Sequence, residues 1–112
     1  MTDPVRRALA LLDHESASFA GPEDVARAVG LLPETLRRQF KREVGIPLGE
    51  YLTQRRVAEA QRLLEETDLQ AAEVGRAVGW RREDTAARVF RRETGTTMQG
   101  YRRSVREGRG DG

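Results

Sequence analysis

Two stretches of the chain gather side chains able to hold phosphates and read base edges. In "PETLRRQFKR", residues 33–42, Leu36 and Phe40 form an inward pair, which leaves Glu34, Arg37, Arg38 and Lys41 outward on a helix. In "WRREDTAARVFRR", residues 80–92, the inward set is Trp80, Ala86, Val89 and Phe90. That leaves Arg81, Arg82, Glu83, Thr85, Arg88 and Arg91 outward. A guanidinium is a planar fork of donors that fits a phosphate or the O6/N7 edge of guanine, and a carboxylate can accept from cytosine N4. The first stretch carries four positive charges and one negative, the second five and two, so each nets +3. The whole chain nets only +2, so the remainder is acidic and the positive charge is concentrated in these two places. Charged helix faces also simply keep proteins in solution. Two matching helices with the same net charge in matching frames favour a nucleic-acid reader over that use.

Composition narrows the remaining classes. Of the 20 basic residues, Lys41 is the one lysine and the rest are arginine. That bias suits phosphate and guanine binding, and equally suits a genome rich in arginine codons, so placement carries more than number. With no cysteine, disulfide frameworks and thiolate metal sites are excluded, and a reducing cytoplasm fits. His14 is the single histidine, set among acids near a helix end, which reads as surface. No catalytic set, cofactor site or metal site is visible. "MTDPVRRALALLDHES" at the start lacks an apolar signal core, and no run approaches the roughly 18 apolar residues of a membrane span. The expectation is a cytoplasmic chain with no membrane partner. At 112 residues, 38% of them hydrophobic, it forms one domain or two very small ones with aliphatic cores.

Proline and glycine then divide the chain into helices. Asp3-Pro4 can open the first, Gly21-Pro22 a second with Val25, Ala28 and Val29 on one face, and Pro33 a third that Gly45 stops. Pro47 opens the longest, to about Glu66. Thr67-Asp68 can cap a fifth ending at Gly79; the sixth runs from about Arg82 to Glu93 and the seventh from about Met98 to Arg106. No window alternates with period two, so the spacing predicts an all-α fold of seven helices.

The chain also repeats itself. Val25, Arg27, Ala28, Val29 and Gly30 recur 49 positions later as Val74, Arg76, Ala77, Val78 and Gly79. One residue is then inserted, and Phe40, Arg42, Glu43, Gly45 and Tyr51 recur 50 positions on as Phe90, Arg92, Glu93, Gly95 and Tyr101. Each copy is a short helix, a sharp turn and a second helix. That is the helix-turn-helix plan, whose second helix can enter a DNA major groove.

Three stretches, "EDVARAVGLLPETLRRQFKREVGIPLGEYL", "RRVAEAQRLLEETDLQAAEVGRAVGW" and "RVFRRETGTTMQGYRR", resemble the DNA-binding domain of the AraC/XylS transcription regulators. The likeness covers about Val5 to Arg106 and includes the second unit's one extra residue. It implies two helix-turn-helix subdomains, over 1–50 and 67–106, and a connecting helix over 47–66, while "EGRGDG" over 107–112 reads by itself as a flexible tail. The connecting helix would be roughly 30 Å long at 1.5 Å per residue, with Leu48, Tyr51 and Leu52 serving one core and Val57, Ala60, Leu63 and Leu64 the other. Arg55 and Arg56 fall between them. Recognition helices over about 33–43 and 82–93 would occupy adjacent major-groove segments. The resemblance puts Glu34, Arg37 and Arg38 against bases in the first, and Arg82, Glu83, Asp84, Thr85 and Arg88 in the second. Lys41, Arg42, Arg91 and Arg92 would touch phosphate or water. Arg38 and Arg88 have a structural alternative, pairing with acids on neighbouring helices.

The sequence departs from that family in places. Leu32 stands where a capping Ser is common. In the second unit Arg81, Thr85 and Ala86 replace a small polar cap and two rings, and Gly75 replaces Ala26 at a helix cost of about 1 kcal/mol. These changes predict a second unit held less firmly. The expected function is a bacterial, sequence-specific, double-stranded-DNA-binding transcription regulator acting as a monomer, with no catalytic role. RNA polymerase is a candidate second partner. The chain has no room for the sensory domain that family members often carry. The alternatives are a protein-interaction module with weak DNA affinity, and the DNA-binding part of a larger sensor or repair fusion.

Overall fold

A computed structural model of the chain describes residues 1–108, which form seven α-helices and no strand. They are α1 (Asp3–Glu15), α2 (Pro22–Ala28), α3 (Pro33–Val44), α4 (Leu48–Glu66), α5 (Ala71–Ala77), α6 (Glu83–Thr94) and α7 (Met98–Gly108), with a short 3-10 turn at Ser16–Ser18 after α1. The expected all-α, seven-helix fold is the one observed. The last helix takes in Glu107 and Gly108; the rest of the tail expected over 107–112 lies outside the described residues. The chain divides into two compact units, Met1–Arg56 and Val57 onward, with the division inside α4. Among the described residues no helix is long and apolar enough to cross a membrane.

In the first unit proline starts α1, α2 and α3, each time at the first or second helical position, where its missing N–H has no partner to lose. The residue flanking α1 is Thr2 rather than Asp3. Its amide and hydroxyl donate to the Glu43 carboxylate at 2.6 and 2.9 Å, tying the chain start to α3 and holding that carboxyl below its usual range. The core combines Val5, Ala8 and Leu12 of α1, Val25, Ala26 and Val29, Leu36 and Phe40 of α3, and Leu48 and Leu52 of α4. Ala26 is buried in the first core and Ala28 is exposed, so the inward set is Val25, Ala26 and Val29 rather than the expected Val25, Ala28 and Val29. Phe40 meets Tyr51 edge to face at 5.6 Å, and the Tyr51 hydroxyl donates to Asp13 at 2.7 Å. Arg55 pairs with the same carboxylate, while Arg56, 8% exposed, donates to the Phe19 carbonyl.

The second unit has the same plan with different fillings. Its core is Val57, Ala60 and Leu64 of α4, Val74 and Val78, Trp80, Ala86, Val89 and Phe90 of α6, and Met98 of α7. Phe90 and Tyr101 repeat the edge-to-face pair at 5.9 Å. Arg102 donates to the carbonyls of Leu64 and Thr67, satisfying acceptors that the end of α4 leaves open. Helix α5 begins later than Thr67-Asp68 implied. Thr67 instead closes α4 by donating to the Leu63 carbonyl, and the Gln70 amide donates to Glu73 at 3.0 Å at the start of α5.

Both helix-turn-helix turns use one device. Gly30 and Gly79 have φ of 76° and 110°, a left-handed conformation that glycine adopts without Cβ strain. In each, the glycine amide bonds to a carbonyl three residues back, and the next residue bonds five back: Leu31 to Ala26 at 3.0 Å, Trp80 to Gly75 at 2.9 Å. This is the Schellman motif, which places the residue after the glycine against the preceding helix. Trp80 is therefore buried because the turn puts it there. The one-residue insertion follows it, so the longer turn leaves the device intact.

Gly75 and Ala86 are a matched pair. A Cβ on Gly75 would lie 2.9 Å from the Cβ of Ala86, closer than side-chain carbons approach. The glycine that looked like a cost to α5 lets it meet α6. Alanine at 86 belongs to that close contact, with Trp80 packed in the same core.

Candidate nucleic-acid interface

Because Leu36 and Phe40 seat α3 in the first core, the opposite face is left to water. Glu34, Arg37, Arg38 and Lys41 are all exposed along it, and Leu32 and Pro33 are exposed where the helix starts. Seating of α6 by Ala86, Val89 and Phe90 exposes Arg82, Glu83, Asp84, Arg88 and Arg91 in the same way, with Arg81 just before them. Thr85 is half-buried, so it stands at the margin of that face. Each helix thus gathers its own expected set on one side.

The charges on these faces are partly tied to one another. Arg37 donates to Glu34 at 2.9 Å. Arg82 grips Asp84 through two hydrogen bonds, each 3.0 Å, and Asp84 also accepts from the Thr85 amide at 2.9 Å. The Arg82 guanidinium holds the Asp84 carboxyl below the usual carboxylate range, and Asp84 in turn raises Arg82. A depressed carboxyl keeps its pair charged above the ordinary range and loses it as pH falls through the lowered value. Arg76 of α5 reaches Glu83 at 3.7 Å. Its counterpart Arg27 pairs with Asp24 of its own helix at 2.8 Å.

Arg38, Lys41, Arg81, Arg88 and Arg91 have no ion pair among the described residues. Among the described residues, Arg38 and Arg88 thus make no ion pair with acids on neighbouring helices; Arg37, Arg82 and Arg92 are paired instead, to Glu34, Asp84 and Glu93 close by in the chain. Two features escaped the sequence reading: the Arg76–Glu83 link and the exposed side chain of Leu32. The first left no signal, since Arg76 repeats Arg27 but Glu83 falls opposite Pro33 and has no acidic counterpart in the first copy. The second left one, an apolar residue at a capping position. Beside α6, Ala71, Ala72, Ala86, Ala87 and Met98 line a small cleft of about 280 Å³. Among the described residues no group of three acids or histidines could hold a metal ion.

Residues 25–104, which contain both turns and both faces, match the family of the helix-turn-helix domain. The chain belongs to the AraC-type helix-turn-helix family. Among solved structures, this AraC-type domain is 31% identical to the DNA-binding domain of AdpA, described as a global transcriptional factor in complex with a target DNA. That match has a TM-score of 0.86 and covers 99% of this chain and 100% of that one. It is 32% identical to the C-terminal domain of AraT, a response regulator from Geobacillus stearothermophilus, over 92% of this chain and 86% of that one, with a TM-score of 0.83. Among curated relatives, the transcriptional activator AarP of Providencia stuartii is 33% identical over 82 residues, 73% of this chain. The activator RhaR of an Enterobacter species is 36% identical over 72 residues, 64% of this chain. The match spans 61% of AarP and 26% of RhaR, so this AraC-type chain corresponds to only part of those proteins.

Proposed function

We propose that the chain recognises a specific double-stranded DNA sequence and regulates transcription in a bacterial cytoplasm, with α3 and α6 as its reading helices. The observation that carries this is the pair of identical Schellman-turn supports, each presenting an exposed, arginine-rich second helix. The likeness to a domain in complex with a target DNA supports it. On this reading the chain acts as a monomer, with one reading helix in each of two adjacent major-groove segments. Arg37, Arg38 and Arg88 supply guanine readout, Glu34 and Glu83 face cytosine amino groups, and Lys41 and Arg91 hold phosphates.

Selection of bound duplexes from a random pool tests it, with Arg37→Ala and Arg88→Ala alongside the parent chain. An enriched motif should appear, and each variant should relax it at a different position, with a loss of about 1–3 kcal/mol per guanine contact. Affinity should fall with salt, at about −0.9 in the log–log slope per neutralised phosphate. No enriched motif, with a shallow slope, would sink the proposal.

The Arg82–Asp84 pair adds a narrower expectation. Asp84→Asn removes the acid that holds Arg82, so the freed guanidinium should add close to one phosphate contact. A steeper salt slope, by about 0.9, is the expected result in a titration series; an unchanged slope would show that Arg82 stays off the backbone. A second reading has the cleft beside Ala87 in its favour, as a seat for a partner such as RNA polymerase. A motif untouched by Arg88→Ala would support that use of the second unit.

A further inference from the structure

Leu32 has no evident use in the fold. It is 74% exposed, and the only other exposed large hydrophobic among the described residues is Met1 at the chain start. Its neighbour Leu31 packs on the first core; Leu32 does not. It occupies the capping position of α3, where Ser, Thr, Asp or Asn would accept a hydrogen bond from the first turn, and no side chain supplies that bond. The helix therefore forfeits a cap and leaves an isobutyl group in water. Its backbone is extended, at φ −66° and ψ 144°, a conformation that the following Pro33 enforces. Leu32 is thus held at the tip of α3, five residues ahead of Arg37, by a stiff local backbone.

We propose that Leu32 reads the 5-methyl group of a thymine in the major groove that α3 enters, an inference that rests on the DNA-binding reading above. The first residues of a recognition helix are those that meet base edges. The thymine methyl is the one apolar group displayed there, and its partners are apolar side chains. Arg37, Arg38 and Lys41, exposed on the same helix, offer chemistry for phosphates and guanine and none for a methyl group. A lone exposed leucine is ordinary on most surfaces; what singles this one out is its place at a reading tip, in a position where a polar residue would stabilise the helix. The corresponding flank of α6 holds Arg82, so the two readers differ in kind at the same point.

The test uses the full chain and the duplex enriched by selection. Each thymine in the half-site relaxed by Arg37→Ala is replaced in turn by deoxyuridine, which removes the methyl group and nothing else. Affinity is read by fluorescence anisotropy. At one position the parent chain should bind about fourfold more weakly, the factor for one methyl-sized group left in water. Leu32→Ser should bind the thymine and uracil duplexes equally. Because serine restores a cap, its melting midpoint should also rise, by about 4–8 °C for a unit of this size. A parent chain indifferent to every methyl deletion overturns the proposal, as does a serine variant that keeps the discrimination. Failure to enrich any duplex overturns the DNA-binding reading and this one with it; an enriched duplex blind to its methyl groups overturns this one alone.

Discussion

Phe40→Ala should cost the first unit about 3–5 kcal/mol, the range for emptying a ring-sized site in a filled core. Phe40 is fully buried, meets Tyr51 edge to face at 5.6 Å, and shares its core with Leu12, Leu36, Leu48 and Leu52. Domains of this size hold only about 5–15 kcal/mol in total. Urea denaturation followed by far-UV circular dichroism should show much of the transition shifted to lower denaturant. Phe90→Ala is the matching experiment in the second unit, since Phe90 is equally buried and meets Tyr101 at 5.9 Å. A loss below about 1 kcal/mol in either would mean that the ring is not packed as described.

The same phenylalanines explain why so much of the fold could be read from the sequence. Phe40 and Phe90, Tyr51 and Tyr101, and Gly30 and Gly79 are repeated because each does a job that few residues can do: fill a small core, brace the ring beside it, or turn left-handed. Periodicity then fixed which side of α3 and α6 faced water, and hence which arginines share a face. Interactions set by tertiary contact were harder to see. Ala26 and Ala28 are identical in type, and only the packing of the first core tells which of them is buried. Thr67 and Asp68 have good capping chemistry, yet the neighbouring Leu63 carbonyl and Arg106 engage them instead. The faces of the reading helices were legible. Which of their arginines are already held by Glu34 and Asp84 was not, because that depends on side-chain rotamers rather than on spacing. The case for a weaker second unit loses one support, since Gly75 and Ala86 are small for each other's sake.

That pair yields the second large effect. Gly75→Val should destabilise the second unit by about 3 kcal/mol, at the upper end for overpacking a tight core. Ordinarily, replacing a helical glycine removes a cost of up to about 1 kcal/mol, so a surface-minded reading of α5 expects a gain. The structure reverses the sign: the first added carbon would already sit 2.9 Å from the Ala86 Cβ, and neither atom belongs to a flexible side chain that could swing away. Valine adds two further methyl groups at the same place, so α5 and α6 must separate and loosen Val74, Val78, Val89 and Phe90 between them. A second experiment isolates the cause. Gly75→Ala and Ala86→Gly each destabilise alone, the first by the clash and the second by placing glycine within α6. Combined, they move one carbon from α6 to α5 and remove the collision. The double variant should therefore be more stable than the sum of the two losses predicts, by about 1 kcal/mol or more in a double-mutant cycle. Simple additivity would mean that the helices do not meet through these two positions.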